Sequence, residues 1–414
     1  SAHIAVTQSG LETYDVQLRQ YPLSITQNDL VTLTFWAKAD APRTIEVAIQ
    51  KTVDPYTVYD YKTFNLSTNW QVYSIVFKAN VTDTNVWPAF NLARTTGDVW
   101  IDKARFVSNP NARNIFFGAY VGGWIMQPPD FEPFETDAQK KLSIVMQYQH
   151  WGGTDGTQNF QKTWMDSVRN HGSIPLITWE PWDYTKGVNQ PTYSLRNIIN
   201  GKFDNYIKKW AQDSKAWGKP YFLRFAHEMN GNWYPWGEQV NGNQPGDYVK
   251  AWRRIRNIFS LAGVKNVTWV WSPNVSYPGS TPMSKVYPGN SYVDWIGLDG
   301  YNWGGSSWQS FDSVFRASYN EITAITGKPL MINETASDEI GGSKPQWIND
   351  AYTYELPYLY PKVRAITWFN INKERDWRIE SSPTTQQSYA DAVKNFIYKS
   401  NTYPTITKTP IPAP

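Results

Sequence analysis

The chain holds 414 residues with a formal net charge of +3, and its 18% of charged residues are spread rather than clustered, which excludes a polyanion-binding face. Cysteine is absent, so disulfides, thiol catalysis and cysteine-ligated zinc are excluded, and the four histidines (His3, His150, His171, His227) are too scattered for a metal cluster. No run of about 18 apolar residues and no signal-peptide pattern is present, so the expectation is a mature or trimmed soluble protein long enough for two domains.

Aromatic residues make up 16% of the chain, including 22 tryptophans. Folding alone does not require that many. Flat rings stack on the apolar faces of pyranoses, so the composition points toward carbohydrate.

Residues 1–107 read as all-β. Short alternating segments recur at 3–8, 14–25, 30–38, 44–51, 57–66, 71–78, 86–93 and 99–107, separated by turn-rich breaks such as Gln27-Asn28-Asp29 and Asp40-Ala41-Pro42. Such spacing predicts a β-sandwich. The stretches LVTLTFWAK at 30–38, 70–76 and GDVWIDKARFV at 97–107 resemble jelly-roll carbohydrate-binding modules. That resemblance makes Trp36, Tyr56, Tyr59, Tyr61 and Trp87 candidate sugar-stacking residues. For Trp36, inside an alternating strand, a core position is the better reading. Asp102 sits where such modules hold a structural calcium, which adds a calcium site as an expectation. Residues 108–113 (SNPNAR) break the pattern and read as a linker.

From Asn114 onward, strands alternate with helical segments. Eight strand-like runs stand at 115–121, 142–148, 174–179, 221–226, 267–271, 293–298, 330–333 and 363–369, with helical periodicity at 203–217, 245–262, 310–326 and 344–356. Eight β/α repeats over 114–400 predict an α/β fold, a parallel (β/α)8 TIM barrel. The strands run out into polar and aromatic residues, among them Gln149-His150-Trp151, Trp179-Glu180-Pro181-Trp182, His227-Glu228, Tyr301-Asn302-Trp303 and Trp368-Phe369-Asn370. In barrels the strand C-termini form the active face. The final stretch 401–414 is Thr/Pro-rich and reads as an extended, poorly ordered linker tail leading to further modules.

Glu228 ends the fourth strand and Glu334 the seventh, so both carboxylates can face one cleft. Retaining glycosidases need such a pair, about 5–5.5 Å apart: one attacks the anomeric carbon while the other donates and later accepts a proton.

The motif HEMNGNWYPWG at 227–237, with GLDGYNWG at 297–304, INETAS at 332–337 and ITWFNINKERDW at 366–377, resembles glycoside hydrolase family 26, a member of the retaining clan A. The resemblance implies Glu228 as acid/base and Glu334 as nucleophile, with His227 near the reacting sugar and Tyr301 donating to Glu334. Arg224 would lower the nucleophile's pKa. Trp368 would floor the subsite of the distorted sugar, and Trp233 would line the cleft beside the acid. Further cleft-wall candidates are His150, Trp151, Trp182, Trp236, Trp303 and Trp377. Glu180 would bind a sugar hydroxyl or pair with a lysine. Asp299 is expected to bond backbone in its strand turn.

Family frequency makes endo-β-1,4-mannanase the leading expectation, with mixed-linkage β-1,3-1,4-glucanase as the alternative, to whose branch the YPW form of the acid motif and the stretch DWRIESSP at 376–383 look closer. A polysaccharide-binding protein without catalysis is the remoter alternative. No cofactor is implied, and no nucleic acid or membrane partner. A polysaccharide partner implies secretion to the extracellular space.

Overall fold

The computed structural model describes all residues except 21, 110–112, 124, 126–128 and 154–157. Two compact units emerge, Ser1–Arg113 with Ile348–Pro361, and Asn114–Trp347 with Lys362–Pro414.

In the first unit the strands are β1 (Ala2–Val6), β2 (Gln17–Arg19), β3 (Leu23–Ile25), β4 (Leu30–Ala39), β5 (Arg43–Lys51), β6 (Val58–Leu66), β7 (Gln71–Lys78), β8 (Asp83–Asn91) and β9 (Gly97–Asn109). They form two antiparallel sheets, ordered β1-β9-β4-β7 and β2-β8-β5-β6, with β3 also pairing β8. Alternation drives the assembly: Leu33, Phe35 and Ala37 of β4, and Ile45, Val47 and Ile49 of β5, share one apolar core. Trp36 lies on the opposite face of β4 from Phe35, half-buried, with the Lys103 ammonium 5.5 Å from its ring. The core position expected for Trp36 therefore belongs to Phe35. Tyr56 and Tyr61 are exposed, Trp87 is buried with the Arg19 guanidinium 4.2 Å from its ring, and the Tyr59 hydroxyl donates to Asp83. The Asp102 carboxylate accepts the Lys103 backbone N–H at 2.8 Å. Among the described residues no group of three or more His, Cys, Asp or Glu side chains is placed to hold a metal ion.

Three boundaries differ from the sequence reading. The strand expected over 14–25 is divided between a 3-10 turn at Thr13–Asp15, β2 and β3. Of the linker expected at 108–113, residues 108 and 109 continue β9, and 110–112 lie outside the described residues. The helix expected over 344–356 is α-helical only at Lys344–Asn349 and then widens to π geometry over Asp350–Leu359. Pro357 within it has no N–H to continue an α-helical ladder.

The second unit is the barrel. Its strands are β10 (Ile115–Tyr120), β11 (Ile144–Gly152), β12 (Ile174–Asp183), β13 (Tyr221–Phe225), β14 (Val267–Trp271), β15 (Trp295–Asp299), β16 (Leu330–Thr335) and β17 (Val363–Phe369). All eight are parallel and sequential, and β10 pairs both β17 and β11, which closes the cylinder. Closure needs Gly118: a Cβ there would stand 2.9 Å from the Cβ of Ile144 on the neighbouring strand. Helices such as Asp204–Trp217, Asp247–Leu261 and Phe311–Ile325 lie close to the predicted 203–217, 245–262 and 310–326. Phe311–Ile325 is capped by Ser310, whose hydroxyl accepts the Ser313 N–H at 3.1 Å, and it buries Phe311, Val314, Phe315, Ser318 and Ile322 on one stripe.

The tail corrects another expectation. Rather than extending freely, 401–414 belongs to the barrel unit: Ile411 is buried, its N–H donates to Thr268 Oγ1 at 2.8 Å, and its carbonyl accepts from Trp295 Nε1 at 2.8 Å. An isoleucine able to bury its side chain outweighs the local preference of the surrounding prolines.

Candidate active site

Glu334 is presented by the end of β16, 5% exposed. Its Oε1 accepts from the Tyr148 hydroxyl of β11 and from Arg224 Nη2 of β13, and its Oε2 accepts from the Tyr301 hydroxyl at 2.7 Å. Arg224 is fully buried and is itself held by Asp299, whose two oxygens each accept from Nη1 at 3.0 Å, and by Thr178 Oγ1 at 2.9 Å. Burial alone would raise the Glu334 carboxyl. The Arg224 charge and the two hydroxyls outweigh it and hold the group at about 2, ionised at any ordinary pH.

Glu228 follows β13 and is treated in the opposite way. Its backbone and that of Ala226 occupy the left-handed region, with φ of 52° and 46°. Such residues cost about 1–3 kcal/mol each, and here Ala226 N–H donates to Trp179 O at 3.0 Å and Glu228 N–H to Ser272 O at 2.7 Å to hold the bend. The twist delivers the carboxyl to the barrel mouth, where Trp233 Nε1 donates to its Oε2 at 2.8 Å. Burial first, then the negative charge of Glu334, push the Glu228 carboxyl up to about 8. One carboxylate and one carboxylic acid thus coexist at neutral pH, as acid-assisted displacement at a sugar requires.

Beside them lies a histidine–carboxylate tier. His150 Nδ1 is 2.5 Å from Glu180 Oε2, and Trp182 Nε1 approaches both, at 3.2 Å and 3.4 Å. His227 is fully buried, 3.8 Å from Glu180 Oε1 on one side and from Glu334 Oε1 on the other, and neither ring nitrogen has a hydrogen-bond partner among the described residues. Burial pushes its imidazole down to about 4, so it is neutral. A neutral ring with both nitrogens unsatisfied can serve a ligand hydroxyl as donor and acceptor.

The model for "Glycosyl hydrolase family 26" matches residues 110–376. The chain belongs to that family. A model described as "Carbohydrate binding domain" matches residues 1–97. Among curated proteins, this family 26 chain is 43% identical to "Endoglucanase H" of Acetivibrio thermocellus, across 67% of this chain and 30% of that one. To "Mannan endo-1,4-beta-mannosidase" of Bacillus subtilis it is 30% identical across 38% and 41% of the two chains. It thus spans less than half the length of either relative. Solved structures sharing the barrel include a Cellulomonas fimi endo-beta-1,4-mannanase double mutant, at TM-score 0.54 and 17% identity over 70% of this chain and 72% of that one. A Bacillus subtilis mannanase reaches TM-score 0.52 at 20% identity, over 68% and 86%. At such identities the likeness carries the fold alone.

The family 26 barrel brings Glu228, Glu334, His227, Tyr301, Arg224, Trp233, Glu180, His150 and Trp182 together as the sequence suggests, and Trp303 stands exposed at the rim. Four tryptophans depart. Trp368 is fully buried on the far side of β17, its ring against Trp347 and Tyr389, while Phe369 turns toward Tyr120, Tyr148 and Tyr301. Trp368 instead donates from Nε1 to the Trp377 carbonyl at 2.9 Å, so it braces the loop rather than flooring a subsite. Trp377 is buried, with its ring packed on Tyr301 and Trp303 at 5.1 and 5.2 Å. Trp236 stacks beneath Tyr234 at 4.5 Å and donates to the His227 carbonyl at 2.6 Å. Trp151 packs with Trp179, Phe203 and Phe225 and is buried too. Asp299, expected to bond backbone, grips Arg224 and Ser272 Oγ. Sequence reasoning missed Tyr148. Alternation within β11 places Tyr148 on the face of the candidate His150, but no motif marks it.

Proposed function

We propose that the chain is a retaining endo-β-glucanase that cuts mixed-linkage β-1,3-1,4-glucan by double displacement. Glu334 attacks the anomeric carbon as Glu228 hands its proton to the departing oxygen. Glu228, now ionised, then takes a proton from the water that releases the glycosyl group from Glu334. What carries this reading is the opposed treatment of the two carboxyls, with Glu334 gripped by Arg224, Tyr148 and Tyr301 and Glu228 touched by one indole N–H. The glucan preference draws on the 43% identity to a protein named an endoglucanase, against 30% over a shorter stretch for one named a mannosidase. It also agrees with the YPW form of the acid motif. A second reading, endo-β-1,4-mannanase, has the mannosidase names among the relatives in its favour. A carbohydrate-binding module beside the barrel would hold the catalyst on its polymer and raise local substrate concentration. Because such polymers do not cross membranes, the proposal places the protein outside the cell.

The test is reducing-end release from barley β-glucan, lichenan, galactomannan, glucomannan and β-1,3-xylan by wild type, Glu228→Ala and Glu334→Ala, with the anomer of the first product read by NMR. Release from barley β-glucan and lichenan with a β-anomer first supports the proposal, and release from the mannans alone installs the second reading. Activity retained by Glu334→Ala overturns the double displacement in both readings, and none from wild type leaves a binding protein.

A further inference from the structure

Glu228 stands at the end of β13, and the sheet order puts β12 on one side of it and β14 on the other. The β12 side carries Glu180, Trp182 and Tyr184. On the β14 side the loop 274–282 raises Tyr277, whose ring lies 5.6 Å from that of Trp233, tilted by 34°. Trp233 is 37% exposed, and it is the residue that hydrogen-bonds the Glu228 carboxyl. Tyr277 is half-buried, and its hydroxyl has no hydrogen-bond partner among the described residues.

The loop bearing Tyr277 is fixed at many points. Asn230 Nδ2 donates to the Asn274 carbonyl at 2.8 Å, its Oδ1 accepts the Asn274 N–H at 2.9 Å, and its own carbonyl accepts the Thr281 N–H at 2.9 Å. Ser276 donates from its N–H to Ser318 Oγ and from its hydroxyl to Glu321 Oε2, each at 2.8 Å. Gln239 Nε2 reaches the Gly279 carbonyl at 2.9 Å. None of these bonds supports Glu334 or its donors. They preorganise a ring that hydrogen-bonds neither carboxyl, which is how a binding surface avoids an ordering cost.

We propose that Trp233 and Tyr277 form the platform for the leaving-group side of the substrate, with Tyr277 stacking on the sugar one unit beyond the leaving sugar. This rests on the acid role given to Glu228 above. The oxygen that Glu228 protonates is the one joined to the leaving sugar, so a ring bonded to Glu228 and remote from the Glu334 donors borders that sugar. The next ring outward meets the following unit. Tyr277 thereby favours internal cuts in long chains over release from short ends.

The experiment compares Tyr277→Ala and Tyr277→Phe in the full chain. For each, kcat/KM is measured on the polysaccharide that wild type cleaves, and on the 4-nitrophenyl glycoside of its shortest product, which has no sugar beyond the first leaving position. The polysaccharide-to-aryl ratio should fall about tenfold in Tyr277→Ala, the size of one aromatic stack, while Tyr277→Phe keeps most of it. An unchanged ratio, with both substrates slowed alike or neither slowed, overturns the assignment and makes Tyr277 a prop for Trp233. If wild type cleaves nothing, the catalytic reading has failed by itself. The platform is then read by calorimetric affinity for a glucan hexasaccharide, which Tyr277→Ala must weaken about tenfold and otherwise refutes it.

Discussion

Tyr148 and Glu334 lie 186 residues apart and meet through a hydrogen bond from the phenol to Oε1, the same oxygen that accepts from Arg224. Oε2 is held by Tyr301, so both oxygens of the proposed nucleophile are engaged and its rotation is fixed. Strands β11 and β13 and the loop after β15 supply the donors, and only closure of the barrel brings them within reach.

Removing one donor should make the nucleophile harder to ionise. A hydrogen bond to a charged acceptor contributes about 1.5–3 kcal/mol, so Tyr148→Phe should lower kcat roughly 10- to 100-fold with a smaller effect on KM. Donors that hold a carboxyl below its ordinary pKa raise that pKa when lost. The acidic limb of the kcat/KM profile should therefore shift upward in pH for Tyr148→Phe and for Tyr301→Phe. A pH–rate series on the cleaved polysaccharide checks both, and an unmoved acidic limb would remove the hydroxyls from the nucleophile's ionisation.

The alkaline limb reports on the acid. Glu228 must carry its proton to serve, and with its pKa pushed up to about 8, activity should decline as pH rises through that value. Trp233 Nε1 stabilises the ionised form, so Trp233→Phe removes a downward influence on that pKa. Its alkaline limb should move to still higher pH, even as the lost ring lowers the rate. A shift in the opposite direction would show that Trp233 does not govern the Glu228 proton.

Stability should depend on the far end of the barrel from the site. Burying Ile411 and satisfying its backbone against Thr268 and Trp295 ties the tail to two strands. Ile411→Ala should cost about 2–5 kcal/mol, visible as a lowered Tm or denaturant midpoint. Assayed well below that Tm, its kcat should match wild type.

The two carboxyls were legible in the sequence because each ends a strand whose polar and aromatic flanks mark the active face. Trp368 was hidden by the strand that carries it. In β17 the residues Ala365–Phe369 are all buried, since one face fills the barrel and the other meets the helices. With apolar residues on both faces, no alternation shows which of Trp368 and Phe369 points inward, and β16 and β17 slip register between Ile332 and Thr335. In β4 the alternation is visible, yet a tryptophan on the solvent side inverts the simple rule that large rings are core. Tyr148 carries no motif, and its importance lies in partners on distant strands. The tail misled because local composition cannot reveal a docking site elsewhere in the chain.

The charge of Glu334 is one of the reasons Glu228 keeps its proton. In the proposed double displacement that charge disappears when the carboxylate becomes an ester, and it returns when water frees it. Glu228 is thus biased to hold a proton while the leaving group awaits one, and to shed it once water must be activated. The timing of the two half-reactions is built into the spacing of the carboxyls, with no moving part to set the clock.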